Sequence, residues 1–117
     1  MFDFRYTRLY TGEDGKAYFQ DIPIETENDN PLGKLSHPTA VKNLIFRRSI
    51  PGTFDWYSAP QKQYIVYLSG EVEVEASGGE SRIFIAGDIL LAMDINGKGH
   101  RSTVLTEGKA IIITLES

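Results

Sequence analysis

Glycines, together with Pro60, cut the stretch from Gly52 to His100 into short strand-like runs, and this limits what the chain can fold into. Gly70, Gly78–Gly79, Gly87 and the Gly97–Lys98–Gly99 segment end successive runs rich in β-branched and aromatic residues. One run, EVEVEA, alternates without exception, with Val72, Val74 and Ala76 on one side and Glu71, Glu73 and Glu75 on the other. Period two marks a strand with one face buried. The preceding run, QYIVYLS over 63–69, is apolar on both faces, as a central strand should be. Gly78–Gly79 is the residue pair that tight hairpin turns favour, because both positions tolerate positive φ.

The same reading extends to both ends. Residues 2–10 alternate, with Phe2, Phe4 and Tyr6 opposite Asp3 and Arg5. TGEDGK then forms a turn, and AYFQDIPIE a second strand that Pro23 marks as an edge or an end. Residues 26–40, with two prolines and several Asn and Asp, read as a long loop on the rim. VKNLIFRR, TFDWYS, SRIFI, ILLAM, HRSTVL and AIIITLE supply further strands. About ten short strands separated by turn residues, and no 3.6-residue period, define an all-β sandwich or closed barrel. The 117 residues (1–117) read as one domain.

Composition narrows the function. There is no cysteine, so disulfides and thiolate metal sites are excluded. No apolar run approaches the roughly 20 residues of a membrane helix, and MFDFRYTRLY lacks the apolar core of a signal peptide. Net charge is −4 and the basic residues are scattered apart from Arg47–Arg48, so no nucleic-acid stripe is present. The expectation is a cytoplasmic protein with a small-molecule ligand, no nucleic-acid partner and no membrane partner.

Two blocks of fixed spacing carry a family resemblance. The first runs Gly52, Tyr57, Ala59, Gln63, Gly70, and the second Gly79, Ile85, Gly87, Asp88 and on to His100. Phe46–Arg47–Arg48, Pro51–Gly52, Trp56, Ala59–Pro60, Gln63–Tyr64, Leu68 to Glu73 and Gly97 to Arg101 complete the set. Together they resemble the cupin superfamily, in its branch of small single-domain bacterial members. The resemblance covers 41–115 well and 1–40 weakly, with core motifs at 52–70 and 79–100. It implies a jelly-roll barrel, a double-stranded β-helix. It also implies where a metal would sit, and there this chain departs. Tyr57, Ala59 and Gln63 stand where metal-binding members carry ligands, and Met93 stands where an acidic residue is usual before Asp94.

Only two histidines are present, His37 in the loop and His100, so a three-histidine metal site is impossible within one chain. A metal-free barrel is expected, with at most a low-occupancy divalent ion on His100 and Asp94. Parity places Tyr57, Gln63, Ile65 and Tyr67 on one face, and His100, Ser102 and Val104 on another that meets it inside the barrel. The expected catalytic residues are His100, Tyr57 and Gln63, the imidazole acting as base near neutral pH. Tyr67, Trp56, Met93 and one arginine, assigned to Arg48, are expected to bind ligand, Trp56, Met93 and the arginine at the mouth. Tyr67 and His100 also read as residues that merely fill a small barrel. His100, following a flexible segment, is expected at a wet mouth, so that replacing it costs little stability.

Three functions are compatible with these residues. The first is a metal-independent isomerase, cyclase or lyase acting on a carbonyl or sugar-like ligand. The second is a ligand-binding or sensor module without turnover, and the third a metal-dependent dioxygenase with atypical ligands. A homodimer is expected, because strand 2–10 reads as a free aromatic edge and free edges invite pairing.

Overall fold

The computed structural model describes residues 4–116. Twelve strands follow in order: β1 (Arg5–Thr11), β2 (Ala17–Pro23), β3 (Asn28–Asn30), β4 (Gly33–Leu35), β5 (Val41–Ser49), β6 (Gly52–Tyr57), β7 (Gln63–Tyr67), β8 (Glu71–Ala76), β9 (Ser81–Phe84), β10 (Ile89–Ala92), β11 (His100–Thr106) and β12 (Gly108–Leu115). Six form one sheet in the order β2-β1-β10-β7-β12-β5, and four form a second in the order β6-β11-β8-β9. The two sheets pack face to face as a jelly roll. No helix occurs among the described residues, and so none long and apolar enough to cross a membrane.

Local sequence explains most of these boundaries. Asp14 caps the first turn, its Oδ1 accepting from the Lys16 amide at 3.0 Å. Gly79, at φ +113°, turns β8 into β9. Asp88 closes the turn before β10, its Oδ2 accepting from the Ile85 amide at 2.8 Å. The loop expected over 26–40 contains a small hairpin, β3–β4, standing apart as its own sheet. Its NDN and GKL strands are wholly exposed and carry no apolar alternation, so the pattern gave no sign of them.

One expectation is overturned. The N-terminal strand is not a free edge, because β1 pairs with β2 on one side and in parallel with β10 on the other. Phe2 and Asp3 lie outside the described residues. The edges are instead β2 and β5 in the large sheet and β6 and β9 in the small one. The argument for a homodimer through that strand therefore fails. The outer face of the large sheet is nonetheless apolar, carrying Leu44, Phe46, Ile111, Ile113, Tyr64 and Val66. Segment 24–39 arches over part of this face, enclosing a hollow of about 490 Å³ with Tyr6 and Ile113 on its floor.

Register sorts the interior. On the inner face of the large sheet, Arg47, Ala110 and Tyr67 form one cross-strand rung. Ile45, Ile112, Ile65, Leu90 and Thr7 form the next, and Asn43, Thr114, Gln63, Ala92 and Leu9 the third. On the small sheet the rungs are Tyr57–His100–Ala76, Phe54–Ser102–Val74–Arg82 and Gly52–Val104–Val72–Phe84. Leu9, Phe19, Val72, Val74, Phe84 and Leu90 fuse into a solid core toward β1, β2, β8 and β9. Polar side chains collect at the opposite side, toward β5, β6 and β11.

The two lateral seams differ accordingly. At the β2–β9 seam, Arg82 Nη1 reaches Asp21 Oδ1 at 2.7 Å, while its Nε reaches Glu80 at 2.7 Å. Thr7 donates to Asp21 at 2.9 Å as well. Burial works against the Asp21 charge, but the bonds from Arg82 and Thr7 and the charges of Arg82 and Arg5 outweigh it and hold its pKa below 3.8. A lowered folded-state pKa stabilises the fold above the unfolded value, and that contribution is lost as pH falls through the folded one. The melting-temperature advantage of wild type over Asp21→Asn at neutral pH is therefore expected to shrink on acidification to about pH 2.5. Thermal unfolding of both proteins at the two pH values checks it, and a constant difference would place the stabilisation elsewhere.

Candidate functional site

The β5–β6 side of the barrel holds a cavity of about 350 Å³. It opens between β5 and β6, which are joined through Ile50 and Pro51 yet are the edges of different sheets. Ile50 and Phe54, largely exposed, stand at its mouth. Tyr67, Ile65, Leu90 and Val72 form its apolar floor, and Arg47, Gln63, Tyr57 and His100 face it from both walls.

The side chain with the most developed environment is His100. Its Nδ1 lies 2.5 Å from Asp94 Oδ2, and both residues are buried, His100 at 4% exposure and Asp94 at 0%. A carboxylate only accepts, so the proton between them belongs to Nδ1 and, in the neutral ring, Nε2 carries the lone pair. Asp94 Oδ1 is buried with no hydrogen-bond partner. The bond to His100 is thus the principal compensation for burying that carboxylate. The ring of Tyr57 packs against the imidazole at a centroid separation of 4.4 Å.

Local backbone chemistry sets this pair. Gly99 has φ +69°, and a Cβ there would drive into the Tyr57 carbonyl. Its own carbonyl accepts from the Ser77 amide at 3.1 Å. Glycine at 99 therefore lets β11 begin tight against β6 with His100 turned inward. Asp94 is fixed through its backbone, its carbonyl accepting from the Ala59 amide at 2.9 Å. The Ala59–Pro60 kink is in this way a support of the site. A β-bulge in the β6–β11 ladder sets two residues of β6, Asp55 and Trp56, against one of β11, Arg101, between His100↔Tyr57 and Ser102↔Phe54. It turns both Phe54 and Tyr57 inward, where strict alternation would separate them, and their rings stack at 3.8 Å.

The other expected residues divide. Gln63 and Tyr67 line the cavity. Gln63 has no side-chain partner among the described residues. Tyr67 is 3% exposed and stacks on Phe84 at 5.2 Å, so it belongs to core and cavity alike. Burial pushes its hydroxyl far above the ordinary tyrosine range, and the neighbouring Arg47 charge offsets this only in part. Tyr67 therefore acts as a neutral phenol and not as a base. Trp56 is not at the mouth. It lies against the Arg101 guanidinium at 5.1 Å on the outside of β6, near Ser77 and Lys98. Met93 does not line the cavity either. It follows β10, its amide bonded to the Leu9 carbonyl at 2.7 Å, between the inward Ala92 and Asp94.

Arg48 is the outward member of its pair. It touches the cavity rim, but its guanidinium is 76% exposed and held by Glu107 at 3.0 Å. Arg47 is the inward residue, because it shares the rung of Ala110 and Tyr67. Sequence parity alone offered both. His37 pairs with Glu27 on the exposed arm at 3.1 Å, away from this site.

The donor set does not fit a mononuclear transition metal. Tyr57, Ala59, Gln63 and His100 supply one imidazole among them, and its Nδ1 is taken by Asp94. Among the described residues no three His, Cys, Asp or Glu side chains cluster. With Asp94 on Nδ1, His100 could offer an ion only its Nε2.

The expectation of a cheap histidine is corrected by burial. Removing the imidazole strands a carboxylate that is 0% exposed. His100→Ala is expected to cost about 3–5 kcal/mol of stability. Arg48→Ala, at an exposed pair, is expected to cost under about 1 kcal/mol. Urea unfolding of the two variants measures the contrast, and equal small losses would show that Asp94 is solvated.

Comparison with known proteins agrees with this architecture. The family model of the EutQ-like cupin domain matches residues 37–94, from the arm through β10 to Asp94. No curated protein sequence matches the chain. In three dimensions it is similar to a crystal structure described as an ethanolamine utilization protein Q of Salmonella typhimurium LT2. The TM-score is 0.54 and the identity 14%, over 98% of each chain. The matched motifs, the paired sheets and the inward-facing site together show that this small chain belongs to the cupin superfamily.

Proposed function

We propose that the cavity binds a small carbonyl compound and that the Asp94–His100 pair moves a proton at the carbon beside the carbonyl. This would make the protein a metal-independent isomerase or lyase. The observation that supports the reading most is the 2.5 Å contact between Asp94 Oδ2 and His100 Nδ1 on the wall of an accessible cavity. A carboxylate on Nδ1 fixes the ring's tautomer and orientation and steadies the imidazolium that forms when Nε2 takes a proton. A cavity of about 350 Å³ with an apolar floor and few polar groups has the character of a small-ligand site.

In this reading each side chain has a task. Nε2 of His100 removes the proton and returns it. Gln63, an amide without a protein partner, and Tyr67, a neutral phenol, donate to the carbonyl oxygen as negative charge develops there. Tyr57 packs on the imidazole and holds its plane, its hydroxyl 3.5 Å from Ser102 Oγ. The apolar floor keeps water from competing for the carbanion.

Proton transfer to solvent deuterium reads this out without knowledge of the product. Wild-type protein in D2O is expected to accelerate deuterium incorporation beside the carbonyl of small ketones and 2-oxo acids. His100→Asn, which still offers an N–H to Asp94, is expected to lower that rate about 10²–10⁴-fold. Asp94→Asn, which favours the wrong tautomer, should fall within the same range. Incorporation no faster than in buffer, or equal in wild type and His100→Asn, would remove the assignment and leave a binding module without turnover.

A further inference from the structure

Resting on the reading of the cavity as a ligand site, we infer that its ligand is a small carboxylate, held by Arg47. Among the described residues, Arg5, Arg48, Arg82 and Arg101 each reach an acidic side chain. Arg8, outside the barrel, donates to Gln20 and lies over the Tyr10 ring. Arg47 faces the cavity with no acidic partner. Its Nε donates to Ser49 Oγ at 3.1 Å, and Ser49 is buried at 4% exposure. The neighbouring Tyr67 hydroxyl is neutral.

A guanidinium keeps its charge at any ordinary pH. Partly withdrawn from water, it carries a desolvation cost that no acidic side chain among the described residues offsets. An anion in the cavity offsets it. Space remains beside Arg47 because small residues such as Gly52 and Ala92 line the cavity. Ser49 holds Nε and the guanidinium also bonds the Tyr67 hydroxyl, so the fork is oriented while keeping further N–H donors for an anion.

The anion is a carboxylate and not a phosphate. The cavity wall offers one uncompensated cation, no lysine and no helix terminus, which suits a single negative charge. Arg47 and His100 stand on walls from different sheets, so one molecule can present its carboxylate to the first and an acidic C–H to the second.

Titration of the full chain with two- to six-carbon carboxylates tests this, with pyruvate, methyl pyruvate and inorganic phosphate as matched probes. Saturable binding of at least one acid is expected, weakening as salt is raised. The neutral ester should bind about tenfold or more weakly. Arg47→Gln should lose about tenfold or more of the acid's affinity, Arg47→Lys less, and Arg48→Gln almost none. No saturable acid, an ester that binds as well as its acid, unchanged affinity in Arg47→Gln, or phosphate binding more tightly than every carboxylate would each overturn the inference. The salt dependence and the ester comparison use wild type alone, so they stand even if a variant folds poorly. Carboxylate binding without deuterium incorporation would sustain the Arg47 site while removing proton transfer. Incorporation into neutral ketones with no preference for acids would do the reverse.

Discussion

A strand shows alternate residues to opposite faces, and here two sheets must share one interior. Everything else in the molecule depends on that constraint. Each inward position belongs to a rung that crosses several strands, so its neighbours are fixed by register and not by sequence proximity. Where the rungs hold Leu, Ile, Val and Phe, as at Leu90–Ile65–Ile112 and Val104–Val72–Phe84, they form an apolar layer that joins the core to the cavity floor. Where they hold Arg47, Gln63, Tyr57 and His100, polar groups and small neighbours such as Ala92 leave a cavity.

The two seams between the sheets show what this asymmetry does. At β2–β9, Asp21, Arg82 and Glu80 bridge the edges with charge. At β5–β6 the turn through Pro51–Gly52 joins the sheets covalently but not laterally, and the mouth opens there. The cavity mouth and the charged closure are thus on opposite sides. The buried Asp94–His100 pair belongs to the open side, although neither residue is itself exposed. A buried pair of this kind is a poor stabiliser relative to apolar packing, because desolvation consumes most of the Coulombic gain. Its presence at a cavity wall, with Asp94 Oδ1 unpartnered, is what makes a chemical role the better reading.

Much of the fold was legible in the sequence. The EVEVEA alternation, the Gly78–Gly79 turn and the Asp88 turn act within a few residues, and all of them hold in the structure. The convergence of Gln63, Tyr67 and His100 was legible too, but Tyr57 does not share the face of Gln63 and Tyr67: it reaches the cavity from β6, in the sheet of His100 and opposite its partner there, because the chain changes sheets across Ala59–Pro60. Trp56 and Met93 were misplaced because proximity in sequence to inward residues says nothing about direction. The hairpin within 26–40 was missed because its exposed strands bury nothing and so leave no pattern.

By itself, then, the sequence determined most of the strands, the turns and the all-β class, because period and glycine chemistry are local properties. Only the tertiary structure decided three things. It chose Arg47 over Arg48, because that depends on the partner rung in β12. It placed Phe54 beside Tyr57, because a bulge against β11 breaks the parity. It buried His100 on Asp94, because the backbone at Ala59 and Gly99 brings together segments that the sequence separates. Each is a contact between distant strands, and long-range register is the one quantity that strand-by-strand reading does not contain.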